Sequence, residues 1–459
     1  MSTLTLEKLT GRMERLPFSK IHKKVFSLAA MGYLFDAYDV ALLGFIMPLM
    51  SKELHLTPVQ IGFTFSIGLF GMLIGALIAG TLADKFGRLK IFQYTLLTFA
   101  IATGLTAFAP NYTILLVLRF ITGLGLGGEQ PVVFTFLSEM VPNEYRGRVN
   151  GMTEAMWGFG TLLAATTAFF VLPVFGWRMT FAFGVLPAIL VWFFRLGIPE
   201  SPRWYMIKGQ IDKAEQQLIM IEKIVEGEKG PLSEPQIVAP ITLLTGYKHA
   251  ALMKPVFLKR SVVLWALWFF SMFGFWGVTS WMPTLIKQAG YSLYASIGFV
   301  FIMNLVWVPS GIVSSILMDK IGRKTPLTVY LVLGGIVTLL YGWVLANHIG
   351  GVAALLSCGM AVIFCMAGAF PVIFAYTPEN YPTEIRGTGT GTANAWGRVG
   401  GILAPTIVGF LYPIIGLTYT LGVVAAAFAL GGVVMALWGI ETKNKILEEI
   451  SNVNFTANV

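Results

Sequence analysis

Apolar residues in this chain fall in long unbroken runs, separated by short polar stretches. A hydrocarbon core about 30 Å thick is crossed by roughly 20 apolar residues in helical form, and twelve runs have that character. In the first half they lie near 25–47, 60–83, 91–109, 112–137, 149–173 and 177–198; in the second, near 261–284, 293–319, 326–346, 350–377, 387–412 and 416–440. The pattern predicts an all-α membrane protein of twelve transmembrane helices in two six-helix, pseudo-symmetric halves. Its expected parts are a cytoplasmic N-terminus (1–24), a first half (25–198), a cytoplasmic linker (199–259), a second half (260–440) and a cytoplasmic C-terminus (441–459). Within the linker, Ile211, Ala214, Leu218, Ile221 and Val225 recur at helical spacing. That spacing predicts an amphipathic helix bracing the halves.

Composition agrees. Of 459 residues, 56% are hydrophobic and only 12% charged, against roughly 25% charged in soluble domains, so lipid must cover much of the surface. The net charge of +9 matters through its placement. With both termini inside, the only Lys and Arg on the outer side are Lys52, Arg178 and Lys287, and those within spans are Arg119, Arg195 and Arg398; all others fall on the inner side. Positive residues stay cytoplasmic, so the excess marks orientation in a bilayer rather than a nucleic-acid partner. Residues 1–24 are polar and basic without an apolar centre, unlike a cleavable signal peptide. Cys358 and Cys365 are separated by roughly 10 Å of helical rise, beyond disulfide reach. His22, His55, His249 and His348 are scattered without metal-ligand spacing. No metal or cofactor is expected, and no nucleophile–base pair or phosphate loop points to an enzyme.

The two halves repeat one plan. Ala83-Asp84-Lys85-Phe86-Gly87-Arg88 returns as Met318-Asp319-Lys320-Ile321-Gly322-Arg323. Glu139 with Arg146-Gly147 returns as Glu379 with Arg386-Gly387, and Trp157-Gly158 returns as Trp396-Gly397. The offsets are 235, 240 and 239 residues, and such a repeat dictates architecture. Parallel repeats around a site near the midplane are a transporter plan; because one chain holds both halves, a monomer is expected. Gly80 to Arg88 resembles the signature loop between helices two and three of the major facilitator superfamily. Pro199-Glu200-Ser201-Pro202-Arg203 resembles its sugar-porter and organic-ion branch. In finer detail, Leu34-Phe35-Asp36-Ala37-Tyr38-Asp39, Gly127-Gly128-Glu129 and Trp396-Gly397-Arg398 resemble bacterial niacin (nicotinate) transporters and the aromatic-acid/proton symporters. Leu89 departs from the pattern, since many members carry a second basic residue there.

Charged side chains within spans cost about 2.5–3.5 kcal/mol each even on a mild scale, so they rank first as functional candidates. Asp36 and Asp39, three residues apart midway along the first span, share a helix face. Two carboxylates in low dielectric cannot both ionise at low cost, which suits the pair to proton coupling. Glu129 and Glu154, in the fourth and fifth spans, are further candidates, either for a proton relay or for pairing with Arg119. Arg398 stays charged near the bilayer centre and needs an anion. That anion is a substrate carboxylate held bidentately or a protein carboxylate, with Asn394 one turn earlier on the same face. The glycines from Gly123 to Gly128 mimic a dinucleotide fingerprint but lack its preceding strand; small residues there admit close helices.

The resemblance implies further roles. Tyr38, Trp157, Phe275, Trp276, Tyr376 and Trp396 lie on helices that line the cavity in the resembled family, where they would stack on a planar ring or serve in packing. Asp84, Arg88, Glu139 and Arg146, with Asp319, Arg323, Glu379 and Arg386, would form charge networks that latch the inner gate. The expected function is proton-coupled import of a small carboxylate, nicotinate or a related aromatic acid, across the bilayer by alternating access. Sugar or organic-cation transport and a non-transporting nutrient sensor are the alternatives.

Overall fold

A computed structural model describes residues 3–185, 198–235, 252–381 and 385–443, and contains no strand among them. In chain order the helices are α1 (Thr3–Glu14), α2 (Lys20–Glu53), α3 (Pro58–Phe86), α4 (Arg88–Thr106), α5 (Tyr112–Met140), α6 (Asn143–Phe170) and α7 (Leu172–Phe183). The linker contributes α8 (Pro202–Ile207) and α9 (Ile211–Lys229). Then come α10 (Pro255–Thr279), α11 (Met282–Gln288), α12 (Leu293–Asn304), α13 (Trp307–Ile321), α14 (Lys324–Asn347), α15 (Gly351–Glu379) and α16 (Arg386–Trp438). Eight segments among the described residues are long and apolar enough to cross a membrane: α2, α3, α5, α10, α12 with α13, α14, α15 and α16. The sixth expected span falls largely on 186–197, outside the described residues. At 53 residues, α16 is about 80 Å long at 1.5 Å per residue, too long for one crossing. Gly416, at φ 76° and ψ 176°, turns the chain within it, close to where the sequence separates its last two runs.

The chain divides into two compact units, 1–42 with 67–167 and 174–243, and 43–66 with 168–173 and 244–459. In the first unit, glycines let α5 press directly on its neighbours. A Cβ on Gly123 would stand 2.1 Å from the Gly68 carbonyl of α3, and one on Gly125 would stand 2.6 Å from the Phe99 amide of α4. The small residues of that stretch therefore serve close packing. Asn111 caps α5 by accepting the Ile114 amide at 3.0 Å. The linker helix forms as its pattern predicts, with Ala214, Leu218, Ile221 and Val225 buried on one face of α9.

The N-terminal segment, legible in the sequence only as polar and basic, folds into α1 and lies against α9. Its Leu9 and Met13 are buried. Arg12 binds Glu222 at 2.6 Å and Glu215 at 3.1 Å, and Arg15 binds Glu222 at 2.7 Å.

In the second unit, α16 packs on α10 through Gly397, Gly400 and Gly401, which face Trp268, the Phe269 carbonyl and Trp276. Gly335, Gly342 and Gly432 fit α14 to the last part of α16 in the same manner. The N-terminal end of α3 also belongs here. A Cβ on Gly62 would stand 2.2 Å from the Pro405 carbonyl, and one on Gly409 would stand 2.3 Å from that of Pro58. Thr406 Oγ1 donates to Ser66 Oγ at 2.8 Å across this crossing.

Candidate functional site

The acids of α2 take separate partners. Asp39 accepts from Thr103 Oγ1 at 2.7 Å and pairs with Arg119 at 3.4 Å. Arg119 also donates to Thr106 at 2.8 Å and Thr122 at 3.1 Å, and its guanidinium lies 4.8 Å from the Phe181 ring centroid. Asp36, one turn away, faces Glu129 instead. The sequence pairs Asp36 with Asp39 and offers Arg119 to Glu129 or Glu154; the structure pairs Arg119 with Asp39. The reason is helical rise. Arg119 and Glu129 are ten residues apart on α5, roughly 15 Å, so they meet different levels of the antiparallel α2. The side chains of Glu154 and Arg146 lie outside the described residues.

Aromatic and amide groups gather beside these acids. Gln130 Nε2 donates to Tyr33 OH at 3.3 Å, and the Tyr33 ring lies 5.4 Å from Trp157 and 5.5 Å from Phe134. Tyr33, one turn before Asp36, carries no charge and so does not stand out in the sequence. Tyr38 is buried on another side of α2, its ring edge 3.5 Å from the place of a Cβ on Gly184.

In the second unit, Arg398 and Asn394 are both half-buried, one turn apart on α16. Phe275 and Trp276 join a cluster that the sequence only half reveals. Phe275 lies 5.1 Å from Trp276, 5.1 Å from Phe370 and 6.0 Å from Trp307, the last two coming from α15 and α13. Two of the expected ring-stacking residues are elsewhere. Trp396 is 44% exposed and stacks on Trp265 at 6.0 Å. Two residues are about 200° of helix, so Trp396 points away from Arg398, in line with the exposed Val399, Leu403 and Phe410. Tyr376 is fully buried, and its hydroxyl accepts the Ile440 amide at 3.0 Å.

The repeated charge motifs build similar knots in each unit. Arg88 pairs with Asp84 at 2.5 Å and Glu139 at 3.1 Å; Arg323 pairs with Glu379 at 2.9 Å. Asp319 is exposed like its counterpart Asp84 but differs in pairing: Arg323 turns to Glu379 and the Met318 carbonyl instead. Arg386 donates to the Tyr381 carbonyl at 3.3 Å.

A further acid sits at the motif of each unit: Glu200, from the 199–203 segment, and Glu441, which lies beyond the repeated motifs. Glu200 accepts the amides of Leu89 at 3.1 Å and Ser201 at 2.9 Å. Glu441 accepts those of Arg323 at 2.9 Å, Lys324 at 3.0 Å and Thr442 at 2.9 Å. Each fits against a motif glycine in the left-handed region, Gly87 at φ 111° and Gly322 at φ 94°. A Cβ there would stand 2.4 Å from Glu200 and 2.5 Å from Glu441. Their charges are tuned oppositely. Burial, together with the nearby Glu139, lifts the Glu200 carboxyl above its ordinary range, although backbone amides oppose this. Burial works the same way on Glu441, but four amides outweigh it and hold that carboxyl below its ordinary range.

Comparison with known proteins places this arrangement. Residues 29–405 match the Major Facilitator Superfamily. The chain is 37% identical over 450 residues to the niacin transporter NiaP of Acinetobacter baylyi, covering 96% of this chain and 99% of that one. It is 30% identical over 481 residues to organic cation/carnitine transporter 7 of Arabidopsis thaliana, covering 94% of each. Among solved structures, the D-xylose-proton symporter superposes with a TM-score of 0.73 at 21% identity, over 92% of this chain and 99% of that one. The chain belongs to the Major Facilitator Superfamily and is a multi-pass membrane transporter.

Proposed function

We propose that the protein imports a small carboxylate, nicotinate first, together with protons. It would do so by alternating access over twelve spans, with both termini and the 199–259 linker in the cytoplasm. The observation that carries this reading is the position of Arg398. It is a permanent cation, twelve residues into α16 and half-buried beside Asn394. Its unit also holds the Phe275–Trp276–Trp307–Phe370 ring cluster. A flat aromatic acid offers both things these groups recognise, a carboxylate for the fork and a ring face. The likeness to a niacin transporter supports the same cargo.

Asp39 is the proposed coupling acid. Protonation removes the charge that holds Arg119, which gives the unit two electrostatic states. The Arg88 and Arg323 knots are the proposed latch of the inner gate.

Radiolabelled nicotinate uptake into proteoliposomes, with and without an inward proton gradient, tests the reading. Gradient-dependent uptake is expected in the wild type and at least a tenfold loss in Arg398→Gln. Absence of nicotinate flux removes this cargo. A second reading, organic-cation transport, has the plant relative in its favour; uptake of a quaternary ammonium that is unaffected by Arg398→Gln would select it.

A further inference from the structure

The Asp36 and Glu129 carboxyl groups face one another between α2 and α5. They are 2% and 0% exposed, yet Asp36 Oδ1 and both Glu129 oxygens find no donor. Ionised carboxylates only accept, so a bond between these two exists only when one of them carries a proton. The backbone is shaped for their approach. Glu129 Oε1 stands 2.1 Å from where a Cβ on Gly32 would be, one turn before Asp36. On its other sides α5 is pressed against Met72, Ala79 and Phe99, leaving Glu129 the α2 face.

No cation among the described residues serves the two acids. On α2 the next ionisable group is Asp39, and Tyr33 lies one turn before Asp36. On α5 it is Arg119, whose guanidinium is engaged by Asp39, Thr106 and Thr122. From α4 the neighbours of Gly32 and Gly128 are Phe92 and Thr95. The α6 side chain Glu154 is outside the described residues. Two buried anions without a counter-charge would cost several kcal/mol each; one shared proton removes half of that charge and makes the missing bond.

We infer that Asp36 and Glu129 form one proton-binding dyad, separate from the Asp39–Arg119 ion pair, that loads and releases one proton per transport cycle. The inference rests on the proton-coupled reading above and extends it. No covalent bond to the substrate is made or broken: a proton enters from the outer solution, is held between the two carboxyl groups and leaves to the cytoplasm. A nicotinate anion with one proton on Asp39 is neutral; the dyad's proton makes the inward cycle carry one positive charge.

Two measurements test this. The first needs no substrate: infrared difference spectra of the full-length protein in lipid nanodiscs near neutral pH. The wild type and Asp39→Asn are expected to show the C=O stretch of a protonated acid that Asp36→Asn/Glu129→Gln loses. Glu129→Asp, which keeps the acid but shortens it, is expected to shift that band. A band absent from the wild type, or unchanged in both dyad variants, overturns the dyad.

The second is nicotinate accumulation in proteoliposomes at equal pH on both sides, driven by an inside-negative potential. One charge across about 100 mV is worth about 2.3 kcal/mol, so accumulation rises by on the order of 50-fold. In the dyad double variant the ratio with and without potential is expected to fall to one. A wild-type ratio of one overturns the second proton. If the wild type moves no nicotinate under any condition, the cargo assignment fails instead, and the infrared band decides the dyad.

Discussion

On α2, a single turn separates two acids with opposite surroundings. Asp39 neutralises a fully buried guanidinium, so removing it strands that charge. Breaking a buried pair from one side costs about 3–5 kcal/mol. Asp39→Asn is therefore expected to lower the denaturation midpoint in detergent sharply, and Asp39→Asn/Arg119→Gln to cost less than the sum of its parts, as coupled sites do. Glu222 poses a similar question in water. Burial would raise its carboxyl, but Arg12 and Arg15 outweigh that and hold it below its ordinary range. A depressed folded value contributes stability that is present above the unfolded value, about 4.3, and is lost as pH falls through the folded one. Docking of α1 is thus expected to persist through neutral and mildly acid pH and to weaken only below the ordinary carboxylate range. Hydrogen exchange over residues 3–16 reads this, and Glu222→Gln is expected to speed exchange there about tenfold.

Among elements, the long apolar helices were written plainly in hydropathy, because a bilayer demands about 20 apolar residues wherever the chain crosses. The exceptions are instructive. The polar α1 has no such signature; its helix is fixed by two arginines meeting acids more than 200 residues away. The last two runs read as separate spans, and one glycine is all that separates them. Asp36 and Asp39 were legible as special because they interrupt an apolar run. Their partners were not, since nothing in spacing along one helix reveals which level of another it meets. The crossing of α3 and α16 is another such contact. Its backbones touch at Gly62 and Gly409, so Gly62→Leu is expected to force them apart. Overpacking costs about 1–3 kcal/mol, read as a lower melting temperature and as faster alkylation of a cysteine placed at Ser66.

At the scale of the whole molecule the duplication runs deeper than the motifs that announced it. Gly176 and Gly416 share nearly the same backbone angles, φ 71° and 76° with ψ 175° and 176°. Thr180 and Thr420 donate back to those glycines' carbonyls at 2.8 and 2.7 Å. Glu200 and Glu441 seat the same kind of carboxylate on the same kind of glycine. The order of the repeat was legible because charged loop residues stand out against apolar spans; these glycines and caps are common residues whose equivalence only geometry exposes.

A joint of one residue has no slack. The helical stretches on either side of Gly416 are roughly 45 Å and 33 Å long by residue count, and at that end neither can slide past the other. They can only swing, like the blades of shears about a rivet. Whatever tilts the stretch bearing Arg398 about any other point must therefore shift the shared joint, and with it the near end of its neighbour.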